Sequence, residues 1–290
     1  MGIRLGPNRY GKAENRVVRI VRDTERHEIR DLNVSSSLWG DFDAAHVEGD
    51  QSAVLPTDTQ KNTAFAYAKQ VGVDSIEDYA IALGRRLVTA TPAAAGARVR
   101  VEEHAWDRIV VDGRGHDHSF VRRGKEVRTT EVEVAADGVT VTSGLTDLVL
   151  LKSTGSEFKD FLRDEYTTLP DADDRVLATS LTASWRWGLD EVDRRGVGID
   201  WNPAYDEVRS ALMEAFATTY SRAMQQTLWA MGRAVLERRA DIEEISLAAP
   251  NKHHHLVDLS PFGVENDGEV FIAADRPYGL IEATVIRDGT

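Results

Sequence analysis

Cysteine is absent from the 290 residues, which removes disulfides, thiolate nucleophiles, iron–sulfur clusters and Cys-type zinc sites together. Any chemistry must therefore use oxygen and nitrogen groups. Positive charge is in deficit: 35 Lys and Arg face 48 Asp and Glu, a formal net charge of −13. A protein that grips phosphates shows a basic stripe, whereas pairs such as Arg122-Arg123 and Arg238-Arg239 sit among acids. They read as solvated surface, and no nucleic-acid partner is expected. Also missing is any run of about 18 apolar residues, the length a membrane-crossing helix needs. Met1 to Tyr10 lacks the apolar core of a secretory leader, and Ile286-Arg287-Asp288-Gly289-Thr290 is no Ser-Lys-Leu-type ending. The expectation is a cytoplasmic protein without a membrane partner. No strand, Gly-rich turn and helix occur in succession, so a nucleotide-binding doubly wound sheet is not expected, and Gly113-Arg114-Gly115 reads as a turn.

What is present is an ordinary globular composition, 42% hydrophobic and 29% charged, long enough for one large or two modest domains. Arg16 to Arg22 and His27 to Val34 nearly alternate apolar and polar side chains around Asp23-Thr24-Glu25, which predicts an antiparallel hairpin with one wet face. The period then changes. Asn62 to Val71 reads as helical, and in Ser75 to Ala90 the residues Ile76, Tyr79, Ala80, Leu83, Leu87 and Val88 recur at helical spacing behind Asp74-Ser75, a fitting N-cap. Strands return at Ala97 to Trp106, Ser119 to Arg122, Val127 to Ala135 and Gly138 to Ser143. The second half replays that order: Arg175 to Arg186 extended, Tyr205 to Arg239 as one long helical region, then short strands at Glu244 to Leu247, Leu256 to Leu259, Glu269 to Ala273 and Leu280 to Arg287. Val208, Leu212, Phe216, Tyr220, Leu228, Met231 and Val235 form a stripe that packs on a sheet. Strands, helices and strands repeated about a seam near residue 145 predict two similar α+β domains in tandem.

Several clusters carry chemically capable residues where folding alone does not demand them. Tyr10-Gly11-Lys12 precedes the first strand. The polar run Pro56 to Thr63 stands ahead of the first helical region, and an N-cap turn explains one Thr or Asp of it but not so many hydrogen-bonding side chains. Lys152 to Phe158, with Arg163 to Leu169 and Arg175, heads the second repeat. Pro250-Asn251-Lys252-His253-His254-His255, with His116-Asp117-His118, invites a metal reading. On a strand His253 and His255 share a face, and such a pair can bind zinc or iron given a third ligand. No residue supplies that ligand at an identifiable spacing.

Tyr10-Gly11-Lys12, Thr57-Asp58-Thr59-Gln60-Lys61-Asn62-Thr63, His116-Asp117-His118-Ser119-Phe120, Leu151 to Phe158, Arg163 to Leu169 and Asn251-Lys252-His253 together resemble urate oxidase (uricase), in order and at matching separations from Arg9 to about Arg287. The resemblance implies tandem T-fold domains over residues 9–145 and 146–287, each an antiparallel sheet with helices on its concave side. It also implies a homotetramer enclosing a tunnel, active sites at subunit interfaces, and neither metal nor organic cofactor. The implied reaction is the oxidation of urate by O2 to 5-hydroxyisourate and hydrogen peroxide, in purine degradation. On the same resemblance Arg175 and Gln225 clamp urate, Phe158 stacks beneath the purine, and the main chain of Asp58 and Met224 completes the ring of hydrogen bonds. Lys12, Thr57 and His253 form a proton relay, Thr57 coming from the partner chain, and Asn251 with Thr57 holds water or dioxygen above the ring. Met224 stands where the family more often has a smaller aliphatic residue, a departure that a backbone contact tolerates. His254 and His255 fall outside the pattern and are assigned to strand packing or surface.

The chemistry is coherent on its own terms. Urate is an electron-rich anion that can give dioxygen an electron once a further proton is drawn off, which requires a base, a flat polar clamp and a dry slot. An amine is a base only while neutral, a form that burial and neighbouring cations favour. A metal-dependent T-fold purine or pterin hydrolase built on the His cluster and a silent purine-binding protein are the competing readings. The second needs the clamp but not Lys12, Thr57 and His253.

Overall fold

Alternating side chains set the first hairpin: β1 (Tyr10–Val21) and β2 (Glu28–Gly40) pair antiparallel, Val17 opposite Leu32 and Ile20 opposite Ile29. The computed structural model describes residues 2–188 and 198–289. The chain divides into two compact units, Met1–Gly144 with Arg186–Ala204, and Leu145–Trp185 with Tyr205–Thr290. The architecture is α+β, with antiparallel strand pairs and, among the described residues, five α-helices.

In the first unit the hairpin is followed by a short α1 (Asp43–Val47), α2 (Thr57–Gln70), α3 (Ile76–Ala90), β3 (Ala94–Val111), β4 (Arg114–Ala135) and the start of β5 (Gly138–Lys152), the strands lying side by side in chain order. Period-two alternation gives the sheet one apolar face, where Leu32, Val34, Val99, Val101 and Val132 are buried. Helix α3 covers that face with Ile76, Tyr79, Ala80, Leu83 and Leu87, each large side chain contributing about 1.5–3 kcal/mol through burial. Ser75 caps it as expected, its Oγ accepting from the Asp78 N–H at 3.0 Å. Gly84 permits the close approach: a Cβ there would stand 2.8 Å from Val134 Cγ2. The Tyr79 hydroxyl donates to the Ala64 carbonyl at 2.7 Å and locks α3 to α2. A buried ion pair ties α3 to the sheet of this unit. Arg128 meets Glu77 at 2.7 Å, the Ser143 hydroxyl donates to Glu77 at 2.7 Å, and the Trp187 indole donates to Ser143 at 3.0 Å.

The second unit continues β5 and holds most of β6 (Leu177–Trp187) and of α4 (Trp201–Thr218), then α5 (Met224–Arg238), β7 (Ile242–Leu256) and β8 (Phe271–Ile286). Leu181, Ile245 and Leu247 of the sheet are buried, as are Val208, Leu212, Phe216, Leu228, Met231 and Val235 of the helices. Five expectations need correction, the first two being that Tyr10-Gly11-Lys12 opens β1 instead of preceding it and that the four short strands read between Glu244 and Arg287 are two long ones, β7 and β8, with residues 257–259 outside either. The helical region from Tyr205 to Arg239 is two helices, broken at residues 219–223, and Tyr220 leaves the apolar stripe, 53% exposed with its hydroxyl donating to Glu157 at 2.9 Å. The break is made from outside: Lys152 Nζ donates to the Thr219 carbonyl at 2.5 Å, a cation at the α4 C-terminus, while Ser221 spends its N–H on Gly155 and its carbonyl on Glu157. Ser119 to Ala135 is one strand, because register shifts absorb the charged stretch that reads as an interruption. The polar run after Pro56 is not a turn ahead of the helix but the opening of α2 itself.

Candidate active site

Lys12 is placed by its neighbours in β1 and β2. Gly11 lies so close to β2 that a Cβ would stand 1.9 Å from the Ser36 carbonyl oxygen, so only glycine lets the strand carry Lys12 there. Lys12 pairs in register with Ser36, whose buried hydroxyl donates to Gln60 Oε1 at 3.0 Å. Gln60 is fully buried in the second turn of α2, so this bond fixes the start of that helix against the strand bearing Lys12. Tyr10 adds a second tie, its hydroxyl accepting from the Leu55 N–H at 2.9 Å and its ring meeting Phe42 edge-on.

Thr57 and Asp58 are the first residues of α2, behind Pro56, which offers no side-chain cap. Their N–H groups belong to the turn that has no intrahelical acceptor and face outward as donors. Thr57 is half-buried and Asp58 exposed. The Asp58 carboxyl is held below the usual range by its bond to Lys61, by the Lys61 charge, by Asn62 donating at 3.0 Å and by the charge of Lys12, which brings Lys12 and this first turn within electrostatic reach. A cavity of about 270 Å³ opens beside Lys12, lined also by Arg9, Ser36, Arg98 and Arg100.

The second unit gathers Phe158, Arg175, Met224, Gln225 and His253. Asp174 is the hub: its carboxylate accepts from Thr154 Oγ1 at 2.7 Å, Gly155 N at 3.1 Å and Arg175 N at 3.0 Å, and these bonds hold it below the ordinary carboxylate range. Gly155 takes φ +74°, a left-handed turn that glycine adopts without strain. Ser156 is fully buried, accepting from the Arg175 N–H at 2.8 Å on its carbonyl and from Arg175 Nε at 3.3 Å on its hydroxyl. Phe158 is pinned by a reciprocal backbone pair with Ala172, 2.8 and 2.9 Å, and the Arg175 guanidinium lies 5.2 Å from its ring centroid. Burial lowers the Arg175 pKa, though a guanidinium stays charged.

The same loop reaches α5. Ser156 bridges Ser221, Thr227 donates to the Ser221 hydroxyl at 2.7 Å, and Gln226 turns back to accept from the Arg222 N–H at 2.9 Å, a variant of the capping box. Met224, its side chain buried, and Gln225, exposed, therefore open α5 as Thr57 and Asp58 open α2, with first-turn N–H groups lacking helical partners. On β7, His253 and Asn251 are half-buried at a register shift opposite β8. Burial, then the charges of His255 and Arg175, lower the His253 pKa and favour neutral imidazole. His253 and His255 do share a strand face, their rings near-parallel at 5.8 Å. His255 is exposed, while His254 is half-buried and bonded to the Lys252 carbonyl at 3.1 Å. Among the described residues no group of three or more His, Cys, Asp or Glu is gathered as a metal ion would require.

Sequence reading missed Gln60, Asp174, Ser156 and Ser221. Gln60 lay inside a quoted motif and Asp174 beside Arg175, but nothing in residue type separates a buried hydrogen-bonding hub from a solvated side chain.

An amine beside one helix start, and a guanidinium over an aromatic ring beside another, each in its own antiparallel sheet-and-helix unit, define a class of α+β protein whose two units each carry a cationic, donor-rich helix start. The uricase family model matches residues 8–133 and 141–282. The chain is 49% identical over 286 residues to a uricase of Arthrobacter globiformis, covering 99% of this chain and 91% of that one. It is 37% identical over 290 residues to a uricase of Emericella nidulans, covering 96% of each. A crystal structure of uricase from Arthrobacter globiformis matches with a TM-score of 0.93 at 48% identity, over 100% of this chain and 97% of that one. The chain belongs to the uricase family: it is an enzyme of two tandem T-fold domains that acts as a urate oxidase.

Proposed function

We propose that the enzyme oxidises urate with O2 and water to 5-hydroxyisourate and hydrogen peroxide, in purine degradation, without metal or organic cofactor. The observation that carries this reading is the Arg175 guanidinium 5.2 Å from the Phe158 ring, beside the start of α5 and within reach of a His253 kept toward its neutral form. Arg175 offers parallel donors to one edge of an oxopurine, and the Gln225 amide can donate and accept at the opposite edge. Phe158 supplies the stacking surface, and the N–H groups of Met224 and Asp58 supply further donors.

Lys12, Thr57 and His253 then move the proton. Thr57 passes it from urate toward the Lys12 amine, with neutral His253 able to share it. The dianion gives one electron to dioxygen, held with water by Asn251 and Thr57. The two radicals combine at C5, a proton makes the hydroperoxide, and hydrogen peroxide leaves. Water adds at the same carbon to give 5-hydroxyisourate.

The working form in this proposal is a homotetramer with sites shared between subunits. Lys12 and Thr57 lie in the same unit, so a partner that brings Thr57 to a site brings Lys12 with it. The decisive assay follows urate absorbance under air, oxygen uptake and peroxide release, with and without a chelator. Equimolar urate loss, oxygen use and peroxide release, unaffected by the chelator, are expected. Loss of activity on chelation, restored by zinc or iron, would replace this reading with the metal-dependent one.

A further inference from the structure

Phe161 lies outside every role assigned above, yet its ring stacks on Phe158 at 4.9 Å between centroids and 13° between planes. Behind it stands Arg163, whose guanidinium carbon is 4.5 Å from the Phe161 centroid. Arg163 is itself held, donating to the Leu169 carbonyl at 3.0 Å and to Asp171 at 2.8 Å. Asp164 and Thr167 close the turn between them, Asp164 N donating to Thr167 Oγ1 at 2.8 Å. These bonds run through a largely exposed segment in which Leu162 is 95% and Tyr166 82% exposed, whereas Phe161 turns back onto Phe158 and is half-buried.

We infer that Phe161, backed by Arg163, is a positioning residue: it occupies one face of Phe158 and fixes the plane of that ring relative to the Arg175 guanidinium above it, so that ring and guanidinium meet the flat substrate in a set geometry. The reason is geometric. The Phe158–Ala172 backbone pair fixes where the side chain starts, but an aromatic ring still turns about χ1 and χ2. A near-parallel neighbour at 4.9 Å removes that freedom, and the Arg163 guanidinium does the same for the neighbour through a cation–π contact. A platform fixed in advance spares the ligand the cost of ordering it. The inference rests on the reading of Phe158 as the stacking surface.

The test compares Phe161→Leu, Phe161→Tyr, Arg163→Gln and Phe158→Leu in the full chain, measuring kcat, KM for urate and the Kd of xanthine, an oxopurine used as a probe of binding alone. Phe161→Leu should raise KM and the xanthine Kd together by about 3- to 10-fold, the range of one lost aromatic pair, with kcat changed less than about 2-fold. Phe161→Tyr keeps the ring and should restore both constants, and Arg163→Gln should show a smaller rise of the same kind. Because Phe161 acts through Phe158, the double variant Phe158→Leu/Phe161→Leu should bind xanthine no worse than Phe158→Leu alone. An unchanged Kd in Phe161→Leu, with Phe158→Leu weakened, overturns the positioning role and leaves the platform standing. An unchanged Kd in Phe158→Leu removes the platform itself. If Phe161→Leu does not fold, Arg163→Gln, on the exposed side of the stack, decides: a Kd equal to wild type counts against the inference.

Discussion

Lys12 reaches its place because Gly11 allows β1 to lie against the Ser36 carbonyl and because Ser36 and Gln60 hold the start of α2 beside the strand. In the proposed reaction its amine receives the proton while binding belongs to Arg175, Gln225 and Phe158, so the two can be separated. Lys12→Met keeps the aliphatic stem and deletes the base. It should lower single-turnover oxidation by about 10²–10⁴-fold and change xanthine affinity little. Near-normal oxidation would make Lys12 a surface lysine. His253 offers a second residue-scale test through pH. Its pKa lies below the ordinary imidazole value through burial and the charges of His255 and Arg175, so neutral His253 persists as pH falls past the point where a free histidine would charge. The acid limb it sets should therefore lie below the ordinary imidazole range. His255→Asn removes one of those charges and should move the limb to higher pH. A limb that stays fixed, or moves down, would detach His253 from it.

At the scale of elements, the buried Glu77–Arg128 pair is a feature whose disruption is costly. Glu77 is 1% exposed, and burial pushes its carboxyl up against the opposing pull of Arg128 and Ser143. Arg128→Met strands the carboxylate where α3 meets the sheet and should destabilise the first unit by about 3–5 kcal/mol near neutral pH. A carboxyl with a raised folded pKa favours the fold below its unfolded pKa and loses that contribution as pH rises through the folded pKa. The deficit of Arg128→Met should therefore shrink as pH is lowered, and Glu77→Leu/Arg128→Met should cost less than the single change. Guanidinium midpoints followed by tryptophan fluorescence across pH check both. Elements built on local pattern were legible in the sequence: the β1–β2 hairpin from alternation, α3 from its stripe and Ser75 cap, and the repeat from the order of both. The gap between α4 and α5 was not. Helical period runs on through Tyr220, while the groups that break it, Lys152, Gly155 and Glu157, lie some sixty residues earlier in the chain. Lys12, Thr57 and Arg175 can be proposed from the sequence because motifs carry them. Gln60, Asp174 and Phe161 cannot, because what marks them is whom they touch.

For the whole molecule, the proposal requires copies to meet. Among the described residues β1 pairs only with β2 and β8 only with β7, and each carries exposed apolar side chains, Val18 at 55% and Ile20 at 43% on β1, Leu280 at 56% and Ile286 at 57% on β8. Open edges with apolar side chains call for a cover, and pairing of copies would supply one. The shared site makes a sharper demand. Thr57→Ala and Lys12→Met damage the first unit, Arg175→Ala the second, and each variant alone should be inactive or nearly so. The measurement that tests the account most directly is urate oxidation by mixed subunits, unfolded together and refolded at equal ratio. Mixing Thr57→Ala with Arg175→Ala should restore activity toward about a quarter of wild type, since half of randomly formed two-fold interfaces are hybrid and each hybrid holds one intact site of two. Lys12→Met with Arg175→Ala should do the same, and Lys12→Met with Thr57→Ala should restore nothing, because both lesions fall in the same half of the site. Hybrids that form and stay inactive in the first two mixtures, or recovery in the third, would contradict the shared site.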